Sequence, residues 1–224
     1  MDQHLLFLLN QKWTHPAFDR VLGTLSCLAF WIPILVLVAI WMICKRGIRG
    51  QTFVLLCVLG VSANETILSQ PLKKWTSRPR PHQTLAHVRR VDLAAAQPRI
   101  LAIAKPIDIA FSGEPQPNVK NGRSFPSAHV LNAVTLGLTV ALCWRLWSWI
   151  LLAPLMAWSR VYTGAHWPSD VLASLVMGPA FTLLLFWLCD QAWRRWIPGL
   201  RPAWAQELPS LVFSQPSATT RRAD

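Results

Sequence analysis

Apolar residues run along this chain in long blocks, separated by short basic or proline-rich stretches. Val21 to Cys44 carries no Asp, Glu, Lys or Arg, and about 20 apolar residues suffice for a helix to cross a bilayer core, so this block predicts a first span. Lys45, Arg46 and Arg49 form a basic turn, and Gln51 to Leu72 predicts a second span interrupted by the polar pair Asn64-Glu65. From Lys73 to Pro126 the chain is too polar to span and too long for a plain connector. It reads as an external loop of the kind that carries function, with Val91 to Ala104 expected as a short surface helix. A third span is expected from Ser127 to Trp144, a fourth from Trp147 to Tyr162 with a kink at Pro154, and a fifth from Pro168 to Leu188. Met1 to Trp13, with Leu5, Leu6, Leu8 and Leu9, reads as an interfacial helix. The first twelve residues carry Asp2 and lack a basic start, so no cleavable signal is expected. The tail from Arg194 is basic and expected to be loosely ordered beyond Pro209.

The pattern therefore predicts an all-α membrane bundle of about five transmembrane helices, with an N-terminal interfacial helix and a long external loop. Its divisions are an N-terminal segment (1–20), a membrane domain (21–190, with the external loop at 82–126) and a basic tail (191–224). Composition agrees: of 224 residues, 53% are hydrophobic and 14% charged, against roughly 25% charged in a soluble domain. Lys plus Arg number 22 against 10 Asp plus Glu, a net charge of +12, which suits a phosphate-bearing partner. Trp13, Trp41, Trp75, Trp144, Trp147, Trp167, Trp187 and Trp193 fall near predicted span ends, where indoles anchor at headgroup depth. The five cysteines (Cys27, Cys44, Cys57, Cys143 and Cys189) lie in or beside apolar runs without paired spacing, so neither a zinc site nor a disulfide framework is expected. Lys45, Arg46, Arg49, Arg145, Arg194 and Arg195 share one face, which makes that face cytoplasmic and the other external.

The predicted up-and-down path brings three polar clusters to the external face. The first, Lys73-Lys74-Trp75-Thr76-Ser77-Arg78-Pro79-Arg80-Pro81, crowds cations at a helix end; taken alone it is a basic patch for anionic headgroups. The second, Ser124-Phe125-Pro126-Ser127-Ala128-His129, opens a helix whose free N–H groups and Ser127 hydroxyl suit an anion; taken alone Ser127 is a cap. The third runs from Ser159 to Asp170 and places Asp170 four residues after His166, close enough to hold one ring nitrogen and leave the other as a nucleophile. Together Lys73, Arg80 and Arg160 supply positive charge around a phosphoryl group, with His166 attacking and His129 protonating the leaving oxygen. Phosphoryl transfer is mostly positioning and charge neutralisation.

These residues resemble the three-part signature of the type 2 phosphatidic acid phosphatase family: Lys73 separated by six residues from Arg80-Pro81, then Pro126-Ser127-Ala128-His129, then Ser159-Arg160 separated by five residues from His166, which three residues separate from Asp170. Pairing Arg78-Pro79 instead would put Pro71 where the lysine belongs. The resemblance covers roughly Gln51 to Leu188. It implies a membrane-embedded, metal-independent lipid phosphatase that uses no cofactor and works through a phosphohistidine on His166. His129 would be the general acid, Asp170 the orienting carboxylate, and Lys73, Arg80, Ser127, Ala128 and Arg160 the phosphate site. Ala128 stands where the family usually has glycine, which implies less room near the phosphate rather than lost catalysis. The family usually has six spans.

Glu65 stands eight residues before Lys73, about 12 Å along a helix, so Asn64-Glu65 is expected to satisfy polar groups between helices rather than pair with Lys73. His82 and His87 read as surface histidines. Leu9-Asn10, His15-Pro16 and Phe18-Asp19 resemble the start of the family's bacterial undecaprenyl-diphosphatases. An isoprenoid diphosphate in a bacterial inner membrane is the first expectation, with phosphatidylglycerol phosphate, phosphatidic acid and lipid A as alternatives and no nucleic-acid partner. A phosphotransferase of the same fold, or a membrane protein that only binds anionic lipid, are the rival classes; a soluble haloperoxidase does not fit five apolar blocks.

Overall fold

The computed structural model describes residues 1–115 and 122–212. The helices in chain order are α1 (Asp2–Phe7), α2 (Pro16–Ser26), α3 (Leu28–Lys45), α4 (Gly47–Ala63), α5 (Gln70–Thr76), α6 (Pro81–Thr84), α7 (Ala128–Trp144), α8 (Leu152–Tyr162), α9 (Pro168–Leu200) and α10 (Pro202–Glu207). They build a multi-spanning membrane bundle in which α7 is central and packs against α4, α8 and α9. Three helical runs are long and apolar enough to cross a membrane, Leu28–Lys45, Gly47–Thr84 and Pro168–Leu200, and Ala128–Trp144 is a shorter apolar helix. The bundle interior holds small polar links: Asn64 Nδ2 donates to Thr135 Oγ1 at 2.7 Å and to the Leu131 carbonyl at 3.2 Å, and the hydroxyls of Thr135 and Thr182 meet at 2.9 Å. Large apolar side chains face outward, with Val176 75% exposed, as lipid-facing positions require.

The first apolar block divides. At Cys27 the backbone leaves the helical region, ending α2 and starting α3, so the first membrane helix begins at Leu28 rather than Val21. The polar face of α2 accounts for this. Asp19 pairs with Arg89, and Ser26 contacts the Ser159 hydroxyl, while Leu22 packs on Val91 and Tyr162. Buried polar groups stay where their partners are, and these hold α2 beside the loop that carries Arg89 and Val91.

The second block is one helical run containing a π-helical segment, Asn64–Ser69. The helix expected over Val91 to Ala104 is corrected. Arg89–Leu93 forms strand β1, paired antiparallel with β2 (Ile107–Phe111), and only Arg99–Ala104 is helical, as a 3-10 turn. Along β1 the residues alternate buried and exposed, and this two-residue period belongs to a strand. The hairpin is a local addition to an otherwise helical fold.

Both ends of the described chain pack on the bundle. The N-terminal helix is docked through Leu6, which is fully buried with Val88, Val130 and Val161. Ser210 to Val212 are held on the bundle. Asp190 accepts from the Ser210 hydroxyl and the Leu211 N–H, both at 2.8 Å, and Val212 packs on Leu56 and Phe186. The tail beyond 212 and the loop positions 116–121 lie outside the described residues.

Candidate active site

Four stretches converge at one end of the bundle. The first leaves α5 through Ser77, whose left-handed backbone (φ 43) turns the chain out of the helix that carries Lys73. Arg78, Pro79 and Arg80 follow in irregular backbone. The second lies directly on them: the Ser124 N–H donates to the Arg78 carbonyl at 2.9 Å. A Cβ at Gly122 would stand 2.2 Å from the Arg78 carbonyl, so glycine permits this approach. The third crosses from α8 to α9. Gly164 has φ +69, and a Cβ there would meet the Arg89 carbonyl at 2.5 Å, so this turn also requires glycine. Asn10 forms the fourth contact, donating to the carbonyls of Arg89 and Tyr162 at 2.7 Å each.

His166, just before α9, is 2% exposed. Its Nδ1 lies 2.7 Å from the Ser124 carbonyl oxygen. A carbonyl can only accept, so Nδ1 carries the proton and Nε2 holds the free lone pair. The direct His166–Asp170 hydrogen bond expected from the spacing is replaced by a separation of 3.8 Å. Asp170, fully buried at the third position of α9, instead accepts from the Trp167 N–H at 3.2 Å, the Ser124 hydroxyl and the Arg78 guanidinium. Burial pushes His166 down to about 4, with Asp170 opposing and the charges of Arg160 and Arg80 adding to the shift. The imidazole is therefore neutral at ordinary pH.

Around His166 the cations crowd. Lys73 lies within electrostatic reach of Arg80, Arg123 and Arg160, and His129 within reach of Arg160, His166, Lys73 and Arg80. Arg160 is 9% exposed, and its Nε has no hydrogen-bond partner among the described residues. Ser127 precedes α7, yet its hydroxyl makes no cap bond and is likewise buried and unpartnered. The capping reading of Ser127 thus gives way to a donor held in reserve. Among the described residues no carboxylate lies within salt-bridge distance of Lys73, Arg80 or Arg160. Buried cations without a partner are costly, and an anion with several oxygens would satisfy them. Ala128 is half-buried beside these groups. Among the described residues no three His, Cys, Asp or Glu side chains form a metal-binding group.

Some features escaped the sequence. Arg78 was set aside by its spacing, yet it binds Asp170. Trp167, expected as an interfacial anchor, is 8% exposed; its Nε1 donates to the Pro79 carbonyl at 2.9 Å, and the Arg78 guanidinium sits 5.5 Å from its ring centre. Glu65 accepts from Gln70, which in turn accepts from Arg123, so Glu65 supports a loop cation through one intermediary. His87 is exposed, while His82 is half-buried with its Nδ1 unpartnered.

Comparison with known proteins gives a consistent picture. A family model described as the PAP2 superfamily matches residues 54–194. The putative undecaprenyl-diphosphatase YbjG of Escherichia coli (strain K12) is 52% identical over 59 residues, which are 25% of this chain and 29% of that protein. The undecaprenyl-diphosphatase of Sulfolobus acidocaldarius is 40% identical over 74 residues, 32% of this chain and 34% of that one. The bacitracin transport permease protein BcrC of Bacillus licheniformis is 35% identical over 66 residues, 29% and 32% respectively. The chain thus spans about a third of the length of the curated relatives it matches. The crystal structure of Aquifex aeolicus LpxE shares the fold, with a TM-score of 0.54 at 21% identity over 82% of this chain and 93% of that one. The family model covers more than half of the chain, across all three motifs, and the chain belongs to the PAP2 superfamily.

Proposed function

We propose that this protein is a membrane lipid phosphatase that hydrolyses an isoprenoid diphosphate, undecaprenyl diphosphate first, through a phosphohistidine on His166. The observation that carries the reading is the group of buried, unpartnered phosphate donors, Arg160 Nε and Ser127 Oγ, beside a neutral histidine whose Nδ1 is already bound. Nε2 attacks the terminal phosphorus, the bond to the bridging oxygen breaks, and His129 gives that oxygen its proton, releasing the lipid monophosphate. Water, its proton taken by His129, then attacks the phosphorus; the bond to Nε2 breaks, its electron pair returns to the ring, and inorganic phosphate leaves. Lys73, Arg80, Arg160, Ser127 and the backbone at Ala128 hold the three oxygens of the phosphoryl group.

A diphosphate is favoured over a monophosphate because the cations outnumber one phosphate. Arg123, tied to Gln70, faces the charges of Lys73 and Arg80 and would take the second phosphate. Two of the curated relatives are named as undecaprenyl-diphosphatases, one of them putatively. Five membrane crossings fit this reading, with the fourth formed by the 3-10 turn Trp147–Leu151 and α8. The site then opens to the periplasm of a bacterial inner membrane.

The test is phosphate release from undecaprenyl diphosphate, phosphatidylglycerol phosphate and phosphatidic acid by detergent-purified protein in EDTA. Release is expected to vanish in His166→Ala. Arg123→Ala is expected to lose about tenfold in kcat/KM on the diphosphate, the order of one charge-assisted contact, and little on phosphatidic acid. No release from any of the three, or release that requires a divalent metal, would overturn the proposal. A phosphorylated acceptor in place of free phosphate would make the protein a transferase.

A further inference from the structure

Arg78 lies outside the spacing that defines the phosphate ligands, yet it is tied to the site more fully than any of them. Its side chain bridges two carboxylates on distant parts of the chain. NH1 donates to Asp170 Oδ1 and, at 2.8 Å, to the Ser169 hydroxyl, while NH2 donates to Asp2 Oδ2 at 2.7 Å. Asp2 also accepts from the Ser169 N–H at 2.9 Å, so the first turn of α1 is pinned to the first turn of α9. The guanidinium packs over Trp167, and the Arg78 carbonyl accepts from the Ser124 N–H. Ser124 closes the circuit: its hydroxyl donates to Asp170, and its carbonyl accepts a hydrogen bond from His166 Nδ1–H.

We propose that Arg78, held by Asp2 of α1, is the positioning residue that fixes Asp170 and Ser124, and through them the orientation and tautomer of the nucleophile His166. This rests on the phosphatase reading above. The distances require an intermediary of this kind, because Asp170 stands 3.8 Å from Nδ1 and sets the imidazole only by holding Ser124. Without the guanidinium, Asp170 is a buried carboxylate with an unmet charge, its Oδ1 unpartnered and only its Oδ2 still held by the Ser124 hydroxyl and the Trp167 N–H. The Ser124 carbonyl then loses its place, and a displacement of about 1 Å in a reacting group can cost on the order of a hundredfold in rate. A planar fork binding two carboxylates is a task for arginine that lysine cannot reproduce. Asp2 is held in its charged form: burial opposes this, but the bonds from Ser169 and Arg78 lower it below the ordinary carboxylate value.

The experiment compares wild type, Arg78→Ala, Arg78→Lys and Asp2→Asn in detergent on the best lipid of the phosphatase panel, with thermal melting alongside. Arg78→Ala should lose roughly 10- to 100-fold in kcat with KM changed less than about threefold. Because the side chain is one-third exposed (34%), millimolar guanidinium should restore part of that rate and ammonium should not. Arg78→Lys should fold and still be slow, and Asp2→Asn should show a smaller loss of kcat. The proposal is overturned if Arg78→Lys matches wild type, if guanidinium fails to rescue a folded Arg78→Ala, or if the loss lies in KM. A wild type inactive on every lipid sinks the phosphatase reading and this proposal with it, whereas an active wild type with unaffected variants sinks this one alone.

Discussion

The neutral state of His166 is set by its neighbours more than by its own chemistry. Burial lowers it to about 4 from 6.5, so the neutral ring persists across the range in which a solvent-exposed histidine would titrate. The consequence for stability has a definite sign. A folded state with the lower value binds fewer protons than the unfolded chain between about 4 and 6.5, so stability falls as pH drops through that window and is unaffected by this group above it. Melting in detergent is therefore expected to weaken from pH 7 to pH 5, and His166→Asn is expected to remove part of that slope. The acid limb of kcat/KM in wild type should lie well below 6.5 for the same reason. A limb at 6.5, or an unchanged melting slope in the variant, would mean the ring is solvated. At this scale the local spacing does not carry the partners. Four-residue spacing suggested that Asp170 touches His166, whereas the fold inserts a backbone carbonyl from a segment 42 positions away. No periodicity in the chain announces such a bond.

At the scale of elements, what was legible follows from what each pattern buries. The apolar blocks that became α7 and α9 start where Ser127 and Pro168 predicted, because a helix N-terminus is written in local residues. The first block misled because apolar content alone cannot separate a span from a helix whose few polar groups find partners. Asp19, Thr24 and Ser26 were the available signal, and α2 buries Asp19 and Thr24. The hairpin was missed because its two strands are marginal alone and rest on α2 and the turn after α8. That contact carries a prediction. Gly164 combines a left-handed backbone with a Cβ position 2.5 Å from the Arg89 carbonyl, whereas a Cβ at Gly199 in α9 would meet nothing within 4 Å. Gly164→Ala is expected to cost about 1–2 kcal/mol for the backbone conformation alone, and more for the clash. It should lower the melting temperature and, by moving the turn two residues before His166, the turnover. Gly199→Ala should change neither by more than about 0.5 kcal/mol. Equal effects from the two would deny that the hairpin and the catalytic turn are packed as one unit.

For the whole molecule, sidedness decides which lipid pool the site can reach. The connections at the end opposite the site carry Lys45, Arg46, Arg49 and Arg145, and the last turns of α9 carry Arg194 and Arg195. Helix α9 has 33 residues, about 50 Å at 1.5 Å each. That exceeds a hydrocarbon core of about 30 Å, so its basic end projects into the aqueous phase. The orientation proposed above follows the rule that short basic connections stay cytoplasmic, with the cations at the other end, which gather around the site and its loop, given less weight. Cys44, exposed at the end of α3, reports on one face. Glu114, exposed beyond β2, reports on the other once replaced by cysteine. In right-side-out vesicles a membrane-impermeant maleimide is expected to label Glu114→Cys and leave Cys44 unmodified until the membrane is permeabilised. The reverse pattern would place the site in the cytoplasm, where its substrate would be the lipid phosphate of the inner leaflet. Labelling of both residues in sealed vesicles would mean that the Gly47–Thr84 run between them does not cross, and the assignment of five crossings would fall with it.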